Sequence, residues 1–260
     1  MVGKVRPNRP NRMVCVVLVG KPFSGKSEAR KTLESLYGAA SQTSSTSILE
    51  AISAGVFTDE SDEARRHADI QQLLADVGGK MQCGALVEDR IVVKSFMHGF
   101  NSRIPQITRS NMFVSDGYPR THKQAELLRE QVGTRVEIIP MLLKVSDEDC
   151  FNRMPGRQIT EKRTDDTHER LAHRLQVFSE SFGRFDSSSP CLAMTLKQLS
   201  TLPEHAIASR GYFENGFINI DASQSKENVA TQVTELLAEA LEFINQVRPS
   251  VGRRGDKLLT

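Results

Sequence analysis

Few cysteines and no long apolar run characterise this sequence of 260 residues. Cys15, Cys83, Cys150 and Cys191 are scattered and form no C-x-x-C pair. That spacing argues against a structural zinc site or a disulfide framework, and it fits a reducing compartment. No apolar run approaches the ~20 residues that a membrane-spanning helix needs, and residues 1–12 lack the apolar segment of a secretory signal. These absences predict a soluble, cytoplasmic protein with no bound zinc and no membrane partner.

Charge is unevenly distributed along the chain. Residues 1–12 carry four basic and no acidic side chains, and residues 248–260 carry four basic and one acidic. Because the whole chain has a net charge of +2, the body between these ends has a net charge of −5. Neither end is interleaved with aromatic residues, so we expect solvated, flexible tails and no nucleic-acid partner.

The stretch from Val14 to Ser27 is the most informative part of the sequence. A run of apolar, largely β-branched residues typical of a buried strand leads into Gly20-x-x-x-x-Gly25-Lys26-Ser27, and helix-compatible residues follow. Glycines let backbone N–H groups turn toward a phosphate, and the positive end of the next helix adds to the attraction. In this pattern the lysine reaches the terminal phosphates, and the serine holds Mg²⁺ directly or through water. The stretch therefore predicts a nucleotide-phosphate site.

Predicted strands alternate with predicted helices along the chain. Strands are predicted over residues 14–20, 39–43, 111–116, 136–145 and 217–220. Helices are predicted over 25–37, 44–52, 63–77, 88–100, 121–131, 147–154, 166–182 and 226–247, with Gly78-Gly79 expected to end the third helix. This alternation predicts an α/β fold with a doubly wound, five-stranded parallel sheet and helices on both faces.

A second informative stretch is Asn111–Thr121, in which an apolar strand ends in an acidic residue, a glycine and a proline-containing turn. In an open parallel sheet, ligands bind beyond the carboxyl ends of the strands, where Asp116 and Arg120 are expected to lie. Arginines also recur between residues 153 and 174. Phosphoryl transfer needs several cations around the moving group, so this run gains significance from the phosphate loop that precedes it.

Four segments in order resemble one known family. They are Gly84-Ala85-Leu86-Val87-x-Asp89, Asp116-Gly117-Tyr118-Pro119-Arg120-Thr121 with Gln124, Val145-Ser146-Asp147-Glu148 followed by Arg153 and Gly156-Arg157, and Arg163-x-Asp165-Asp166 with Arg174. Together with the phosphate loop they resemble the adenylate kinase family of nucleoside monophosphate kinases. The resemblance covers residues 13–184 and, more weakly, 216–244. It implies a P-loop NTPase fold and the Mg²⁺-dependent reaction ATP + NMP ⇌ ADP + NDP.

The resemblance also implies a role for individual residues. ATP would contact Gly20, Phe23, Ser24, Gly25, Lys26, Ser27, Glu28, Arg153, Arg157 and Gln224. The monophosphate would contact Ser45, Ala85, Leu86, Val87, Gly117, Tyr118, Pro119, Arg120, Gln124, Arg163 and Arg174, with Gln124 reading its base. Lys26, Arg120, Arg157, Arg163 and Arg174 would be catalytic, and Ser27 and Asp116 would hold Mg²⁺, in the main through water. No general base is required, because the attacking phosphate is already anionic.

The same resemblance implies a domain layout. A kinase domain over residues 13–247 would contain a monophosphate-binding part at about 44–100, a short lid at about 157–165 and an insertion at about 186–215 that is atypical of the family. Basic tails would flank this domain at 1–12 and 248–260. The short lid leaves no room for a zinc subdomain, and Thr121 resembles the members that accept AMP. We expect a monomer.

Two departures from the family pattern leave alternatives open. Glu50 occupies the place of an arginine that binds the monophosphate, and Glu28 adds a negative charge close to the phosphate loop. A carboxylate facing a dianionic phosphate would repel it. The alternatives to an ATP:AMP phosphotransferase are a kinase for another nucleoside monophosphate and a catalytically weakened nucleotide-binding module that acts through partners.

Overall fold

The computed structural model describes residue 10 and residues 12–133, 136–161, 167–182, 213–214 and 217–247. Its strands are β1 (Met13–Gly20), β2 (Ala40–Thr43), β3 (Met112–Asp116), β4 (Val136–Lys144), β5 (Phe213–Glu214) and β6 (Phe217–Asp221). Its helices are α1 (Lys26–Tyr37), α2 (Ser44–Ser53), α3 (Glu63–Cys83), α4 (Asp89–Ser102), α5 (Ile104–Ser110), α6 (His122–Val132), α7 (Asp147–Glu161), α8 (His168–Phe182) and α9 (Lys226–Val247).

The strands form one sheet in the order β2-β3-β1-β4-β6-β5. Five of them are parallel, as the alternation of strands and helices predicts. The two-residue β5, which the sequence did not reveal, pairs antiparallel with β6 at the edge. β1 lies between β3 and β4, with Leu18 opposite Asp116 and Gly20 opposite Leu143. This register brings the end of β1 and the acidic end of β3 to the same edge of the sheet.

Both faces of the sheet are covered by helices, which explains why β1 is apolar at almost every position. Val14, Val16 and Leu18 point into the core shared with α1 and α9. The alternate residues Cys15 and Val17 point into the core on the opposite face, where α2, α4 and α6 pack. A strand buried on both faces cannot alternate apolar with polar residues. The α/β class and the layered arrangement are thereby confirmed.

Helix α3 contradicts the prediction that Gly78-Gly79 ends it. The helix continues to Cys83 and stops at Gly84, whose left-handed conformation (φ 82°) suits a glycine at a helix C-terminus. Each glycine inside a helix costs only about 1 kcal/mol relative to alanine. Val77 is buried in the core, and Leu73, Leu74 and Met81 pack against it from both sides of the glycine pair. Packing on both sides of the glycine pair therefore outweighs the weak tendency of Gly78-Gly79 to end the helix.

We predict that Gly78→Ala and Gly79→Ala each stabilise the protein by about 0.5–1 kcal/mol. A Cβ at either position would meet nothing within 4 Å, and neither backbone is left-handed. The gain arises because alanine restricts the unfolded chain and favours the helix. Urea unfolding measures it, with Gly84→Ala as the contrasting variant, because a left-handed backbone and a contact with Arg174 make that change destabilising. Destabilisation by Gly78→Ala would indicate that the helix is interrupted at Gly78-Gly79.

One further helix was predicted too short, and one helix was not predicted. The helix predicted to end at Met154 continues past Pro155 to Glu161. Before Pro155, Cys150 and Met154 pack against Leu171 and Leu175 of α8. This continuation enters the segment predicted as the lid, and residues 162–166 of that segment lie outside the described residues. Helix α5 was not predicted, since it is only seven residues long and follows α4 after a single residue.

The predicted tails and insertion fall largely outside the described residues. Two residues of the N-terminal segment are described, and both contact the body of the protein. The Asn111 side chain donates to the Pro10 carbonyl at 3.0 Å, and Arg12 lies 3.7 Å from the buried carboxylate of Glu137. Within the described ranges, no helix is both long and apolar enough to cross a membrane.

Candidate active site

The loop between β1 and α1 is shaped by two glycines. A Cβ on Gly20 would lie 2.6 Å from Ser24 Oγ and 2.9 Å from the Leu143 carbonyl, which leaves no space for a side chain. Gly25 precedes the first turn of α1 with φ 93°, a left-handed conformation that favours glycine. Ser24 is 1% exposed, and its hydroxyl lies against Lys26. The chain therefore forms a tight loop that directs the N-terminus of α1 toward the sheet edge.

Lys26 folds back over this loop. Its Nζ donates to the carbonyls of Gly20 and Lys21, each at 2.7 Å, and lies 3.3 Å from Ser24 Oγ. Withdrawal from water lowers the pKa of Lys26 to about 8. The charge of Arg120 adds to this shift, and the charge of Asp116 opposes it. The ammonium group is thus held at the place where an anion would contact the loop.

Asp116 ends β3 beside the start of α1. Its side chain is almost buried, and Ser27 Oγ donates to Asp116 Oδ2 at 3.4 Å. A carboxylate and a hydroxyl oxygen are hard ligands, and Mg²⁺ is usually held by one or two such protein groups together with water and phosphate oxygens. The donor chemistry of Ser27 and Asp116 therefore fits Mg²⁺. Among the described residues, no group of three or more His, Cys, Asp or Glu could hold a metal ion.

The turn after β3 presents Arg120. The Arg120 Nε donates to the Gly117 carbonyl at 2.8 Å, and its backbone N–H donates to Gln124 Oε1 at 2.8 Å. Gly117 has φ 82°, and a Cβ there would lie 3.2 Å from the Arg120 guanidinium. Tyr118 anchors the turn, because its ring is stacked on that of Phe96 at a centroid distance of 4.4 Å.

Gln124 is 1% exposed, and both ends of its amide are used. Its Nε2 donates to Asp89 Oδ1 at 2.8 Å, while its Oε1 accepts from Arg120. Each end of the amide can form a second hydrogen bond, but the buried side chain would have to become exposed to reach a base. The predicted role of Gln124 stays a prediction.

A cleft opens at the carboxyl edge of the sheet. Its walls come from the end of β1, the phosphate loop, the turn after α3, the turn after β3 and α8. They include Leu18, Val19, Gly20, Pro22, Lys26, Gly84, Leu86, Gly117, Pro119, Arg120, Arg174, Val177, Phe178 and Ser181. Gly20, Lys26, Leu86, Gly117, Pro119, Arg120 and Arg174, all predicted from the sequence, are thus brought to one cavity.

The cleft is positively charged. Withdrawal from water and the neighbouring charge of Arg174 lower the pKa of Arg120, and Asp116 opposes this shift. Arginine nevertheless keeps its charge at neutral pH. Among the described residues, Lys26, Arg120 and Arg174 line the cleft, and the charge of Asp116 acts on Lys26 and Arg120. Three cationic side chains at one cavity give it the electrostatic character of a polyphosphate site.

On the side of the cleft predicted for ATP, Arg153 joins two distant segments. Its guanidinium donates to the Phe23 carbonyl at 3.3 Å and to the Ala222 carbonyl at 2.5 Å. The Phe23 side chain packs against the apolar cluster between α7 and α8. Gln224 lies in the same turn as Ala222, where its Nε2 donates to Asp221 at 2.9 Å. Glu28 is exposed and pairs with Lys31 at 2.9 Å, so its charge has a partner outside the loop.

The remaining predicted residues are placed as follows. Ser45 is exposed near the start of α2, where its hydroxyl lies 3.4 Å from that of Thr43. Ala85 and Val87 flank Leu86 in the turn before α4, and Val87 is 7% exposed. The side chain of Arg157 and the whole of Arg163 lie outside the described residues.

The structure adds residues that sequence reasoning missed. The cleft is also lined by Val177, Phe178 and Ser181. They follow Arg174 by three, four and seven positions, a helical spacing that places them on the same face of α8 as Arg174. Lys21 binds the Val145 carbonyl at 2.9 Å and Asp147 at 2.7 Å. Arg30 lies 3.8 Å from Asp116. It follows Lys26 by one helical turn, but this spacing alone does not reveal its contact with Asp116 of β3.

Known proteins resemble this chain over most of these elements. An adenylate kinase from Maricaulis maris (strain MCS10) is 31% identical over 166 residues, which cover 63% of this chain and 78% of that enzyme. The chain belongs to the adenylate kinase family. The family assignment makes it a nucleoside monophosphate kinase, a transferase that binds ATP. Its fold, a parallel α/β sheet around a P-loop, is the one expected of that family.

Other adenylate kinases show a similar degree of identity to this chain. The adenylate kinase of Mycobacterium sp. (strain MCS) is 28% identical over 192 residues, covering 72% of this chain and 88% of that enzyme. That of Phenylobacterium zucineum (strain HLK1) is 28% identical over 167 residues, covering 63% of this chain and 77% of that enzyme. No family model matches the chain.

Proposed function

We propose that this enzyme transfers the terminal phosphoryl group of Mg-ATP to AMP, forming two ADP. The observation that carries the proposal is the cleft at the carboxyl edge of the sheet, where Lys26, Arg120 and Arg174 meet the phosphate loop and the motif Gly117-Tyr118-Pro119-Arg120. A site of this charge supports transfer between two phosphates, because the attacking group brings its own negative charge and needs no base.

In this proposal the loop over residues 20–27 and Lys26 hold the donor phosphates, and Arg153 orders the segments beside the ATP base. Arg120 and Arg174 hold the acceptor phosphate and neutralise charge on the group in flight. Gln124 reads the acceptor base, and Arg157 and Arg163 complete the cationic set from the lid. Ser27 and Asp116 would hold Mg²⁺, which supplies charge neutralisation and orientation of the donor phosphates when bound. The family's ATP binding and the charge of the cleft support these assignments.

The proposal is tested by measuring ADP production with Mg-ATP and with AMP, CMP, UMP, GMP and dTMP offered separately. We expect rapid turnover with AMP and at least tenfold lower kcat/KM for the others. Turnover with a different monophosphate would overturn the assignment of AMP and leave the enzyme class intact. Absence of turnover with every acceptor, with ATP binding retained in calorimetry, would favour a nucleotide-binding module.

The pKa of Lys26 predicts a pH dependence. A lysine with a pKa of about 8 loses its charge as the pH rises through that value, so the nucleotide-free enzyme should bind ATP less well above pH 8. We expect kcat/KM for ATP to fall about tenfold per pH unit above 8, while the decline in kcat begins at higher pH because bound phosphates raise the pKa of Lys26. Steady-state kinetics from pH 6.5 to 9.5 measures both. A flat kcat/KM profile between pH 7 and 9 would contradict this role.

A kinase for another monophosphate is the second candidate, and Glu50 favours it. The Glu50 carboxylate is exposed and lies 3.3 Å from Arg103, so a carboxylate paired with Arg103 stands where the family has an arginine. The acceptor subsite would then differ from the pattern that binds AMP.

We predict that Glu50→Arg lowers KM for AMP about three- to tenfold without raising it for ATP, because a cation replaces a repelling carboxylate. Acceptor titrations at low ionic strength measure this effect. Glu235→Arg, an exposed substitution on α9 outside the predicted monophosphate-binding part, is the matched control for added positive charge. An unchanged KM for AMP would show that position 50 does not face the acceptor phosphate.

A further inference from the structure

Arg30 is a charged residue beside the proposed metal site to which neither the motifs nor the family resemblance gives a role. It lies on α1, one turn after Lys26, and its Nε is 3.8 Å from Asp116 Oδ2. This Nε is buried and has no hydrogen-bond partner. Both side chains are shielded from water, with 20% of Arg30 and 9% of Asp116 exposed. The attraction between them is therefore weakly screened.

The rest of the Arg30 guanidinium is held in place from the opposite side. Its Nη1 binds Glu34 on the next turn of α1 and donates to Ser41 Oγ of β2 at 3.2 Å. Ser41 in turn binds Glu34. The guanidinium is thus shared between two carboxylates. Glu34 holds one edge, and the unsatisfied Nε faces Asp116.

We propose that Arg30 tunes the metal site by lowering the effective negative charge that Asp116 offers to Mg²⁺. The inference rests on the proposed Mg-ATP site and concerns this chain's own residues. Ser27 and Asp116 meet at 3.4 Å, and the charge of Arg30 acts on the same carboxylate oxygen, Oδ2. A cation beside a metal-holding carboxylate repels the metal and weakens the carboxylate's attraction for it. Arg30 therefore makes metal binding depend more strongly on the phosphates that arrive with the metal.

A purely structural role would have a different consequence. By binding Glu34 and Ser41, Arg30 joins α1 to β2, and loss of that tether would lower stability and weaken binding of ATP with and without metal alike. A charge-tuning role changes the difference between ATP affinity with metal and ATP affinity without metal. The quantity to measure is the ratio of the ATP dissociation constant in EDTA to that in saturating Mg²⁺, determined by calorimetry without an acceptor.

We expect Arg30→Met to increase this ratio about tenfold, within the 10–100-fold range that residues around metal ligands can exert on metal affinity. Arg30→Lys keeps the positive charge and should stay within about twofold of wild type. In an Asp116→Asn background, Arg30→Met should leave the ratio unchanged, because the carboxylate through which Arg30 acts is gone. A ratio that falls or stays constant in Arg30→Met overturns the proposal.

A second variant keeps the test decisive if Arg30→Met does not fold, which a thermal melt in EDTA reveals. Glu34→Gln retains Arg30 and removes its competing carboxylate, so the guanidinium should act more fully on Asp116 and lower the ratio about two- to threefold. An unchanged or higher ratio in Glu34→Gln contradicts the proposal independently. If wild-type protein binds ATP equally with and without Mg²⁺, the proposed Mg-ATP site itself fails. A clear wild-type difference that no substitution at residues 30 or 34 alters defeats only this inference.

Discussion

Replacing Lys26 with methionine is expected to lower kcat by about 10³-fold or more. The Nζ is anchored by the carbonyls of Gly20 and Lys21, so its charge is fixed at the loop where the donor phosphates would lie. A preorganised cation in a cleft shielded from water stabilises the transition state far more than a mobile one in solvent. Methionine has nearly the same length and no charge, which makes the electrostatic contribution the main difference. ADP production under saturating Mg-ATP and acceptor measures the loss.

Lys31→Met is the matched control for Lys26→Met. Lys31 lies on the same helix, is exposed and pairs with Glu28, away from the cleft. We expect this variant to keep at least half of the wild-type kcat, because exposed ion pairs contribute little. If Lys26→Met retained more than a tenth of wild-type kcat with an intact fold, Lys26 would not be the cation that serves the transferred group.

Replacing Arg120 with alanine is expected to lower kcat/KM for the acceptor by about 10²–10³-fold. The guanidinium lines the cleft, and its Nε bond to the Gly117 carbonyl holds it in the turn after β3. Alanine removes a fork of donors that can bind two phosphate oxygens together. The loss should appear in both KM for the acceptor and kcat, since Arg120 is proposed to hold the acceptor phosphate through the transition state. Initial rates over a matrix of ATP and acceptor concentrations separate these constants.

Arg109→Ala provides the control for Arg120→Ala. Arg109 lies on α5, is exposed, contacts the Pro105 carbonyl of its own helix through Nε, and is not one of the described residues that line the cleft. Its removal should leave both KM values within about twofold. If Arg120→Ala raised KM for ATP alone, the assignment of Arg120 to the acceptor would be wrong.

The sequence predicted those parts of the site that depend on local geometry. The loop between Gly20 and Ser27 is encoded by glycines at positions that a Cβ would block or strain, and the observed conformations at Gly20 and Gly25 agree. The turn at Gly117–Arg120 is encoded in the same way, by a glycine with positive φ followed by a proline. Residues close in sequence determine both features, so a motif is sufficient to find them.

Features that depend on contacts between distant segments could not be predicted. The helix-breaking preference of Gly78-Gly79 was outweighed by packing from α3 onto the core, and no local pattern reveals that core. Arg30 was one of many charged residues on α1 until β3 placed Asp116 beside it. Gln124 looked available to read a base, yet its side chain is buried and its amide binds Asp89 and the Arg120 backbone.

The contacts of Arg153 bear on when, during synthesis of the chain, the proposed donor side of the site can form. Its side chain joins a carbonyl at residue 23 to one at residue 222, so the proposed donor side of the site combines segments that are synthesised early and late in translation. A nascent chain that ends after β4 contains the whole phosphate loop but neither Arg153 nor Ala222. ATP stabilises only a chain that can bind it. If the proposed donor site needs both segments, we expect a protein truncated before β6 to gain less protection from ATP than the whole chain gains.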